Sequence, residues 1–376
     1  MEKILYLTTW PFENEKNNGI CKKINMQVKV MEENSFAVDL SYIKSGKTYL
    51  RKDHIEMNLG KNGKFGKIKA HYYLYRQLKK EEYNKVYIRY GMADPLFIQL
   101  LKLLKKSNDA KILVEIPSYP YDKECSKLFM DQVNFTIDRI YRKKMVKFVD
   151  RIVTFSDDKS IFGIKTIRIS NGILVDNVRK RKVRQGKRDI HLIAVAQFAM
   201  WHGCDRLING MAKYYQTEGR RKVYFHIVGG GKILEEYKKL VSQNDLENYV
   251  IFHGEQYGDE LDNIYDLADI GVECLGLHRR GALMCSSLKA KEYAAKGLPI
   301  LTSCEMDQFQ DKEYNFIKRF PATEEDIDID EIVKFSDEIL GKDKEFAVSV
   351  SEMIRNFAKE RCDIFRTFEP VLKFFT

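Results

Sequence analysis

The stretch Ser286–Leu301 reads SSLKAKEYAAKGLPIL, and its pattern decides the fold. Two hydroxyl residues precede a run of helix-forming residues, and Gly297 and Pro299 then lead into an apolar segment. This order is typical of a helix followed by a buried strand, the repeating unit of an α/β protein. Glu292 is the one carboxylate in the stretch, and lysines surround it. Its place near the start of the predicted helix needs an explanation.

The composition is that of a globular protein with excess positive charge. A length of 376 residues suits two domains, and 64 Lys and Arg against 54 Asp and Glu give a net charge of +10. This charge favours anionic partners such as phosphates, nucleic acid or acidic lipid headgroups, although a plain solvated surface explains it equally well. No apolar run approaches the roughly 18 residues that span a bilayer. The start lacks the apolar region and cleavage site of a signal peptide, so we expect a first strand there.

The cysteines predict neither a disulfide framework nor a zinc site. The sequence has seven of them, an odd number, scattered along the chain without a C-x-x-C pair. Such usage is typical of a reducing compartment, so we expect a cytoplasmic protein.

Short apolar runs alternate with helical patterns along most of the chain. The first half contains the runs KILYLTT, FAVDLSYI, KVYIRYG, AKILVEIP and DRIVTFS, and the second contains DIHLIAVAQF, KVYFHIVGGG, YVIFHGE, DIGVECLG and LPILTS. This rhythm predicts an α/β protein with two doubly wound, mostly parallel sheets. The polar and mostly basic stretch 179–188 predicts a hinge between a domain of residues 1–178 and a domain of residues 189–359.

Ligands of open parallel sheets bind beyond the carboxyl ends of the strands, so the residues that follow strands are candidates. Gly229, Gly230 and Gly231 follow one strand, where glycines let backbone amides approach an anion or simply form a tight turn. Gln197 and His202 follow another strand. At a helix entrance, His202 is predicted either to hold a phosphate or sugar hydroxyl or to be a structural residue.

The start of the helix after Ser286 and Ser287 suits an anion as well. The amides of residues 287–289 and the charge of Lys289 would meet a phosphate at the positive end of the helix dipole. Glu292 lies about one turn further in, where a carboxylate would accept two hydrogen bonds from a ribose diol. The lysines would then flank it because the ligand is anionic. The alternatives are that Glu292 is a capping partner of the upstream hydroxyls or a solvated helix residue.

Several motifs in order resemble one known family. WHGCDRL, FHIVGGG and LKAKEYAAKGLPIL follow one another in the second half, and ISNGI precedes the basic stretch. Together they resemble the bacterial GT-B glycosyltransferases of family 4, the group 1 class, in a W-H-G-x-D-R variant. The resemblance implies two Rossmann-like domains that face a cleft. It also implies that a C-terminal helix of about residues 360–376 crosses back to the first domain.

The resemblance also assigns roles to residues. It implies that Glu292 holds the nucleotide ribose, that residues Ser286, Ser287, Leu288 and Lys289 hold the diphosphate, and that Gly19 lies in a loop near the donor. Gln197 and His202 occupy the places of an Arg and a phosphate-binding Lys, so His202 and Lys289 are the expected catalytic residues. Met284 stands where the family's E-x7-E pattern has its first Glu. Arg279, Arg280 or Lys289 is expected to supply the missing positive charge.

The family function implied is a retaining transfer that needs no metal and no cofactor. A hexose-type sugar would move from a nucleotide sugar, with UDP favoured, to a glycan, lipid-linked or glycoprotein acceptor in bacterial surface polysaccharide or glycoconjugate synthesis. The alternative is a non-catalytic subunit of glycosyltransferase type that binds an acceptor or a partner enzyme. A nucleic-acid partner is not expected, because no nucleic-acid-binding module is recognisable.

Two further segments are candidates for contacts with the acceptor and with a membrane. EIPSYPYDKE follows a predicted strand, and Glu115, Tyr119 and Asp122 are expected to contact the acceptor unless the segment is only a rigid loop. DRIYRKKMVKFVDR, at Asp138–Arg151, predicts a basic amphipathic helix. Such a helix would lie on an anionic membrane at the inner face of the cell membrane, or would face the core with a solvated basic side.

Overall fold

The computed structural model describes residues 2–13, 19–63, 66–121, 129–184, 189–217, 220–341 and 343–376. The chain forms two compact units: Met1–Ser170 together with Thr367–Thr376, and Asn171–Arg366. The division falls upstream of the predicted hinge at 179–188. Arg184, inside that basic stretch, forms ion pairs with Asp189 at 2.7 Å and Asp269 at 2.9 Å. These contacts attach the described part of the stretch to the second unit.

The first unit is built on a sheet of nine strands within the described residues. The strands are β1 (Glu2–Leu7), β2 (Phe36–Lys44), β3 (Lys47–Lys52), β4 (Ile55–Lys61), β5 (Lys85–Arg89), β6 (Lys111–Ile116), β7 (Arg151–Thr154), β8 (Ser160–Ile161) and β9 (Ile164–Arg168). Their order is β4-β3-β2-β1-β5-β6-β7-β9-β8. The six strands from β2 to β9 in this order pair in parallel, whereas β3, β4 and β8 pair antiparallel. The prediction of parallel strands is confirmed for the centre of this sheet, and its antiparallel margins were missed.

Helices connect these strands. They are α1 (Gly19–Glu33), α2 (Gly66–Leu78), α3 (Pro95–Asn108) and α4 (Phe129–Tyr141). Apolar side chains of β5, β6 and α3 form a buried core with those of β1 and α2. Asp94 caps α3 by accepting hydrogen bonds from the amides of Leu96 and Phe97, and Pro95 opens the helix, as expected for this residue order.

The predicted helix at Asp138–Arg151 is two elements. Its first part is the end of α4, and a 3-10 helix then spans Arg142–Lys147 before Arg151 opens β7. Arg142 turns inward, where its guanidinium lies 4.7 Å from the ring centre of Phe162 and 3.6 Å from Asp138. Because this side chain and Met145 are drawn into the unit, the exposed basic face is shorter than the sequence predicted.

The second unit contains a parallel sheet of six strands within the described residues. The strands are β10 (Ile190–Val195), β11 (Val223–Val228), β12 (Val250–Gly254), β13 (Ile270–Val272), β15 (Ile300–Thr302) and β17 (Ile317–Arg319), and β14 (Met284–Cys285) pairs separately with β16 (Glu305–Met306). The order β12-β11-β10-β13-β15-β17 places the first strand beside the fourth, so the winding direction reverses between β10 and β13. The predicted doubly wound parallel sheet is confirmed here.

Eight α-helices follow β10 among the described residues. They are α5 (Cys204–Tyr214), α6 (Leu234–Gln243), α7 (Gly258–Leu267), α8 (Leu288–Lys296), α9 (Ile329–Leu340), α10 (Lys344–Arg361) and α11 (Ile364–Thr367), and α12 (Glu369–Phe375) follows in the first unit. The ring of Phe368, which directly precedes α12, lies 5.5 Å from the ring of Tyr87. No helix in the described ranges is long and apolar enough to span a membrane.

Three histidines on neighbouring strands form a hydrogen-bonded chain across the second sheet. His191 Nδ1 lies 2.8 Å from His226 Nε2, and His226 Nδ1 lies 2.9 Å from His253 Nε2. At one end, Asp189 Oδ2 lies 3.1 Å from His191 Nε2. Burial, and then the neighbouring rings of His191 and His253, lower the pKa of His226 to about 3. The three histidine rings are therefore neutral near pH 7.

Acidification should destabilise the second unit through His226. Its folded pKa lies below the unfolded value of about 6.5, so unfolding takes up a proton, and stability that is present above pH 6.5 is lost as the pH falls toward the folded pKa. At pH 5 this residue alone should cost about 2 kcal/mol. Urea unfolding of the full chain at pH 7 and pH 5 measures the loss. His226→Gln should show a smaller pH dependence than the parent, and equal dependence would contradict the assignment.

Candidate functional site

The loops that follow β10 and β13 meet at the reversal point of the second sheet, where open α/β sheets bind their ligands. The amide of Leu275 donates to the carbonyl of His202 at 2.9 Å, and the thiol of Cys274 donates to the carbonyl of Trp201 at 2.6 Å. A side chain on Gly203, whose φ is +66°, would overlap the backbone of Gly276. The glycine of the W-H-G motif thus allows the two loops to touch.

The glycines after β11 are explained by close packing. Gly229 and Gly231 have φ values of +130° and +134°, and a Cβ on either would overlap a backbone carbonyl oxygen, that of Ala196 or that of Phe198. The turn is therefore required for β10 and β11 to end side by side. Gln197 is exposed at the same edge. The predicted phosphate contact of Gly229–Gly231 stays a prediction.

His202 lies at the entrance of α5 and is neutral. Its exposed fraction is 9%, and its Nδ1 accepts a hydrogen bond from the amide of Ala199 at 3.0 Å. Burial, and then the charges of Lys289 and Arg280, lower the pKa of His202 to about 4. Nδ1 also lies 3.2 Å from the carbonyl oxygen of Ala199, but the shorter contact to the amide makes Nδ1 the acceptor and places the ring hydrogen on Nε2. His202 can donate one hydrogen bond but cannot supply the positive charge of the lysine that it replaces.

A buried carboxylate holds the start of α8. Glu273, which directly follows β13, is 3% exposed. Its Oε2 accepts a hydrogen bond from Ser287 Oγ at 3.1 Å, and its Oε1 lies 3.4 Å from Lys289 Nζ. Burial would lower the pKa of Lys289, but Glu273 and the nearby thiols raise it, so this lysine stays charged. The sequence reasoning missed Glu273, although its position just after a predicted strand was the available signal.

The helix begins where the sequence predicted. Ser287 is the N-cap of α8, Leu288 is its first residue, and Ser287 Oγ accepts the amide of Lys289 at 3.1 Å. One of the three predicted anion-binding amides is therefore already used. A capping box would need an acidic residue at Ala290, so Glu292 is not the capping partner of Ser287.

Neighbouring residues on α8 have opposite environments. Glu292 is exposed, whereas Lys291 is 0% exposed and lies 3.1 Å from both Asp307 Oδ1 and Ser286 Oγ. Ser286 Oγ in turn donates to Asp307 at 2.5 Å. The expectation that all the lysines flank an anionic ligand is wrong for Lys291, and the Ser286 hydroxyl is engaged in the same internal network.

The loop after β13 contains a second set of paired charges. Arg279 donates to both carboxylate oxygens of Asp205, at 2.9 and 2.8 Å, and to Glu324 and the carbonyl of Met200. Because the guanidinium of Arg279 is hydrogen-bonded to these partners, Arg279 does not replace the missing phosphate-binding cation. Met284 is 43% exposed on β14.

In the first unit, a cavity of about 300 Å³ lies at the carboxyl ends of β1, β5 and β6. Trp10, Tyr90, Tyr121 and Phe135 line it, together with apolar residues and the Lys67 amine. The Lys67 amine donates to the carbonyl of Gly91 at 2.9 Å, and burial lowers its pKa. The sequence reasoning did not identify this cavity, because its lining comes from loops far apart along the chain.

Glu115, one of the predicted acceptor residues, is buried in the first unit. Glu115 is 0% exposed and accepts hydrogen bonds from Gln27 and Tyr87 at 2.7 and 2.6 Å. It also pairs with Arg89 and with Lys23. Burial would raise the pKa of Glu115, but the two cations outweigh it and lower the pKa to about 2. Such a carboxylate cannot reach an acceptor directly, which corrects the prediction.

The other predicted residues of this unit are less constrained. Tyr119 is half-buried, and its ring lies 5.8 Å from that of Phe162. Asp122 lies outside the described residues. Gly19 opens α1, with nothing within 4 Å of the position that a Cβ would take. Across the described ranges, no group of three or more His, Cys, Asp or Glu side chains could hold a metal ion.

Comparisons with known proteins give the same picture of fold and family. Residues 176–303 match the model of the family described as Glycosyl transferases group 1. No curated protein sequence matches the chain. A glycosyltransferase from Rickettsia africae has a similar structure, with a TM-score of 0.66, 15% identity and coverage of 99% of this chain and 97% of that one.

Two further structures are similar over nearly their whole length. HepE from Anabaena, in complex with UDP-glucose, has a TM-score of 0.60 and 13% identity, and covers 99% of each chain. WaaG, a glycosyltransferase involved in lipopolysaccharide biosynthesis, has a TM-score of 0.57 and 12% identity, and covers 99% of this chain and 98% of that one. At these identities the likeness shows the fold.

Replacing Lys291 should destabilise the second unit. Lys291→Met leaves Asp307 buried with one charge partner fewer, and breaking a buried ion pair costs about 3–5 kcal/mol. Urea unfolding followed by circular dichroism measures the loss. The neighbouring exposed variant Glu292→Ala is the matched control and should change stability by less than about 0.5 kcal/mol. Equal losses in both variants would contradict the burial difference.

Proposed function

We propose that this chain, which has the GT-B fold and matches the group 1 glycosyltransferases over residues 176–303, transfers a hexose-type sugar from a nucleotide-sugar donor, with UDP favoured. The family resemblance inferred from the sequence is confirmed by the family match and the fold. The proposed acceptor is a glycan, a lipid-linked sugar or a glycoprotein of bacterial surface polysaccharide synthesis. HepE is described in complex with UDP-glucose, and WaaG as acting in lipopolysaccharide biosynthesis, which supports both halves of the proposal.

The observation that carries the proposal is the arrangement of α8. Glu273 fixes the start of this helix at the reversal point of the sheet, and Glu292 is exposed about one turn further along. This is the position of the family's ribose-binding carboxylate. The spacing suits a nucleoside diphosphate, with the diphosphate at the helix start and the ribose diol at Glu292.

The proposed mechanism stabilises the departing nucleotide without a metal. The bond between the anomeric carbon and the β-phosphate oxygen breaks, and negative charge develops on that phosphate. The Lys289 ammonium and the positive end of α8 stabilise this charge, and the Nε2–H of neutral His202 donates one hydrogen bond. The acceptor hydroxyl oxygen forms the new bond to the anomeric carbon and its proton leaves with the diphosphate, with retention of configuration.

We place the acceptor in the cavity of the first unit. The cavity has room for about one sugar ring, and its aromatic lining suits the apolar face of such a ring. Lys67 provides a donor beside Tyr90 and Tyr121. Tyr119 remains a proposed contact at the edge of this region.

We also propose a peripheral contact with an anionic membrane. Ile140 and Val146, exposed by 57% and 48%, lie in a segment whose exposed basic residues are Arg139, Lys143, Lys144 and Lys147. Apolar side chains among basic ones are the features of a segment that inserts shallowly between acidic headgroups. The contact would suit a lipid-linked acceptor at the inner face of the membrane.

A non-catalytic binding subunit is the second candidate. One observation favours it: Met284 replaces the carboxylate that contacts the donor sugar in the family, and its side chain is exposed. The two candidates differ in one measurable property, which is the slow release of free sugar from the donor by water.

Glu292→Ala should weaken nucleotide binding without unfolding the chain. Two charge-assisted hydrogen bonds to the ribose are lost, each worth roughly 1.5–3 kcal/mol, so the affinity for UDP should fall at least about tenfold. Isothermal titration calorimetry with UDP and GDP measures it, and Met284→Ala is the control expected to bind like the parent. Parent-like binding by Glu292→Ala would remove the donor-site assignment.

Hydrolysis of UDP-glucose by the parent, in the presence of EDTA, separates the enzyme from the binding subunit.

Reversing charge on the 139–147 segment should abolish membrane binding. Lys143→Glu combined with Lys147→Glu replaces two attractive contacts, each worth about 1 kcal/mol near an anionic surface, by repulsive ones. Flotation with vesicles of phosphatidylglycerol and phosphatidylcholine tests this. Lys79→Glu with Lys80→Glu, also exposed on the first unit, is the matched control. Binding that is independent of the anionic lipid, or lost equally in the control, would rule out this segment.

A further inference from the structure

The loops beside the proposed donor site contain six basic side chains whose charges can be accounted for one by one. They are His202, His278, Arg279, Arg280, Lys289 and Lys291. His202 is neutral, and Lys291 is buried against Asp307. His278 and Arg279 both contact the carboxylate of Glu324. His278 Nε2 lies 2.6 Å from it, and the Arg279 guanidinium donates to it. Lys289 contributes positive charge at the helix start, but Glu273 already pairs with it, so it does not replace a free phosphate-binding cation.

Arg280 differs from all of these. Its side chain is exposed, and within the described ranges no ion pair is formed by its guanidinium. The guanidinium carbon lies 4.6 Å from the ring centre of Trp201, in a cation–π contact. Trp201 directly precedes His202, and their ring centres lie 6.0 Å apart, so the Arg280 charge is among the causes of the lowered pKa of His202. The aromatic residue of the W-H-G motif therefore holds a free cation next to the position where the family's lysine is missing.

We propose that Arg280, positioned by Trp201, binds the diphosphate of the nucleotide donor and replaces the cation that Gln197 and His202 do not supply. The proposal rests on the donor site proposed above and assigns its phosphate-binding residue. Arg280 would be a binding residue, and Trp201 a positioning residue that acts through it.

Stacking suits this task. A guanidinium that lies on an aromatic face keeps its N–H donors in its own plane, free to bind two phosphate oxygens side by side. Its charge persists at every physiological pH. The ring also restricts the long side chain before the ligand arrives, so less conformational entropy is lost on binding. A neutral histidine and a stacked arginine together supply what one lysine supplies elsewhere in the family.

Lys232 is the competing cation. It follows Gly231 at the end of β11, its side chain is exposed, and no ion pair of its own is found among the described residues. Unlike Arg280, it lies over no aromatic ring among the described residues. The two residues make different predictions for the same measurement.

The experiment is calorimetric titration of the full-length parent and variants with UDP, GDP and UMP. Arg280→Ala should lower the affinity for UDP by about tenfold or more, because a bidentate charge-assisted contact is lost. Arg280→Lys should lose less, since it keeps the charge without the fork. Lys232→Ala should bind within about twofold of the parent. Lys312→Ala removes a different exposed cation from a ring, that of Tyr314, and is the matched control.

A double-mutant cycle tests the positioning role of Trp201. Trp201→Leu should weaken UDP binding severalfold in the parent but hardly at all in the Arg280→Ala background, because its effect passes through the arginine. Additive losses would show that Trp201 acts independently of Arg280.

The outcomes separate this proposal from the one it rests on. If the parent binds UDP or GDP and Arg280→Ala binds it equally well, or if Lys232→Ala carries the loss instead, Arg280 is not the phosphate ligand and the donor site stands. If the parent binds neither nucleotide, the donor site and the role of Arg280 are both overturned. Melting temperatures of the Arg280, Lys232 and Lys312 variants should match that of the parent, since these three side chains are exposed.

Discussion

The ion pair between Glu273 and Lys289 is the constraint on which the second unit's site depends. A carboxylate that is almost fully buried at the end of a strand must be compensated, because water cannot solvate it. The compensating groups are the ammonium of Lys289 and the hydroxyl of Ser287, both at the start of α8. The amide of Glu273 also donates to the carbonyl of Leu301 at 2.9 Å. The sheet, the helix start and a positive charge are thereby fixed relative to one another.

The sequence predicts the fold wherever burial requires a clear pattern of apolar residues. The parallel strands were found because their central residues are apolar and buried on both faces, as Val86, Tyr87 and Ile88 are in β5. The hairpin of β3 and β4 was missed for the opposite reason. Ile55, Met57 and Leu59 do alternate with other residues along β4, but most of this edge strand is exposed, so it lacks the continuous apolar run that marks the buried central strands. The helix assigned to Asp138–Arg151 failed because periodicity does not reveal that Arg142 turns into an aromatic cluster.

The position of the site could be predicted from the sequence, but the charge states and ion-pair partners of its residues could not. Motif order located the start of α8 and the exposed Glu292, and both depend on local sequence. The states of His202, Lys289 and Lys291 depend on burial and on partners such as Glu273 and Asp307, which lie up to 16 positions away or on another element. Sequence spacing gives no information about such pairing. A net charge of +10 therefore says little about how many cations are free to meet a ligand.

The histidine chain of the second sheet has a direction. Asp189 accepts from His191 Nε2, so His191 Nδ1 is left to accept from His226 Nε2, and His226 Nδ1 to accept from His253 Nε2. One carboxylate at the sheet margin thus selects the tautomer of three rings on three strands. The rings cannot exchange tautomers one at a time without placing two hydrogens, or none, between neighbouring nitrogens. The sheet therefore carries an aligned row of imidazole dipoles that can only reverse as a unit.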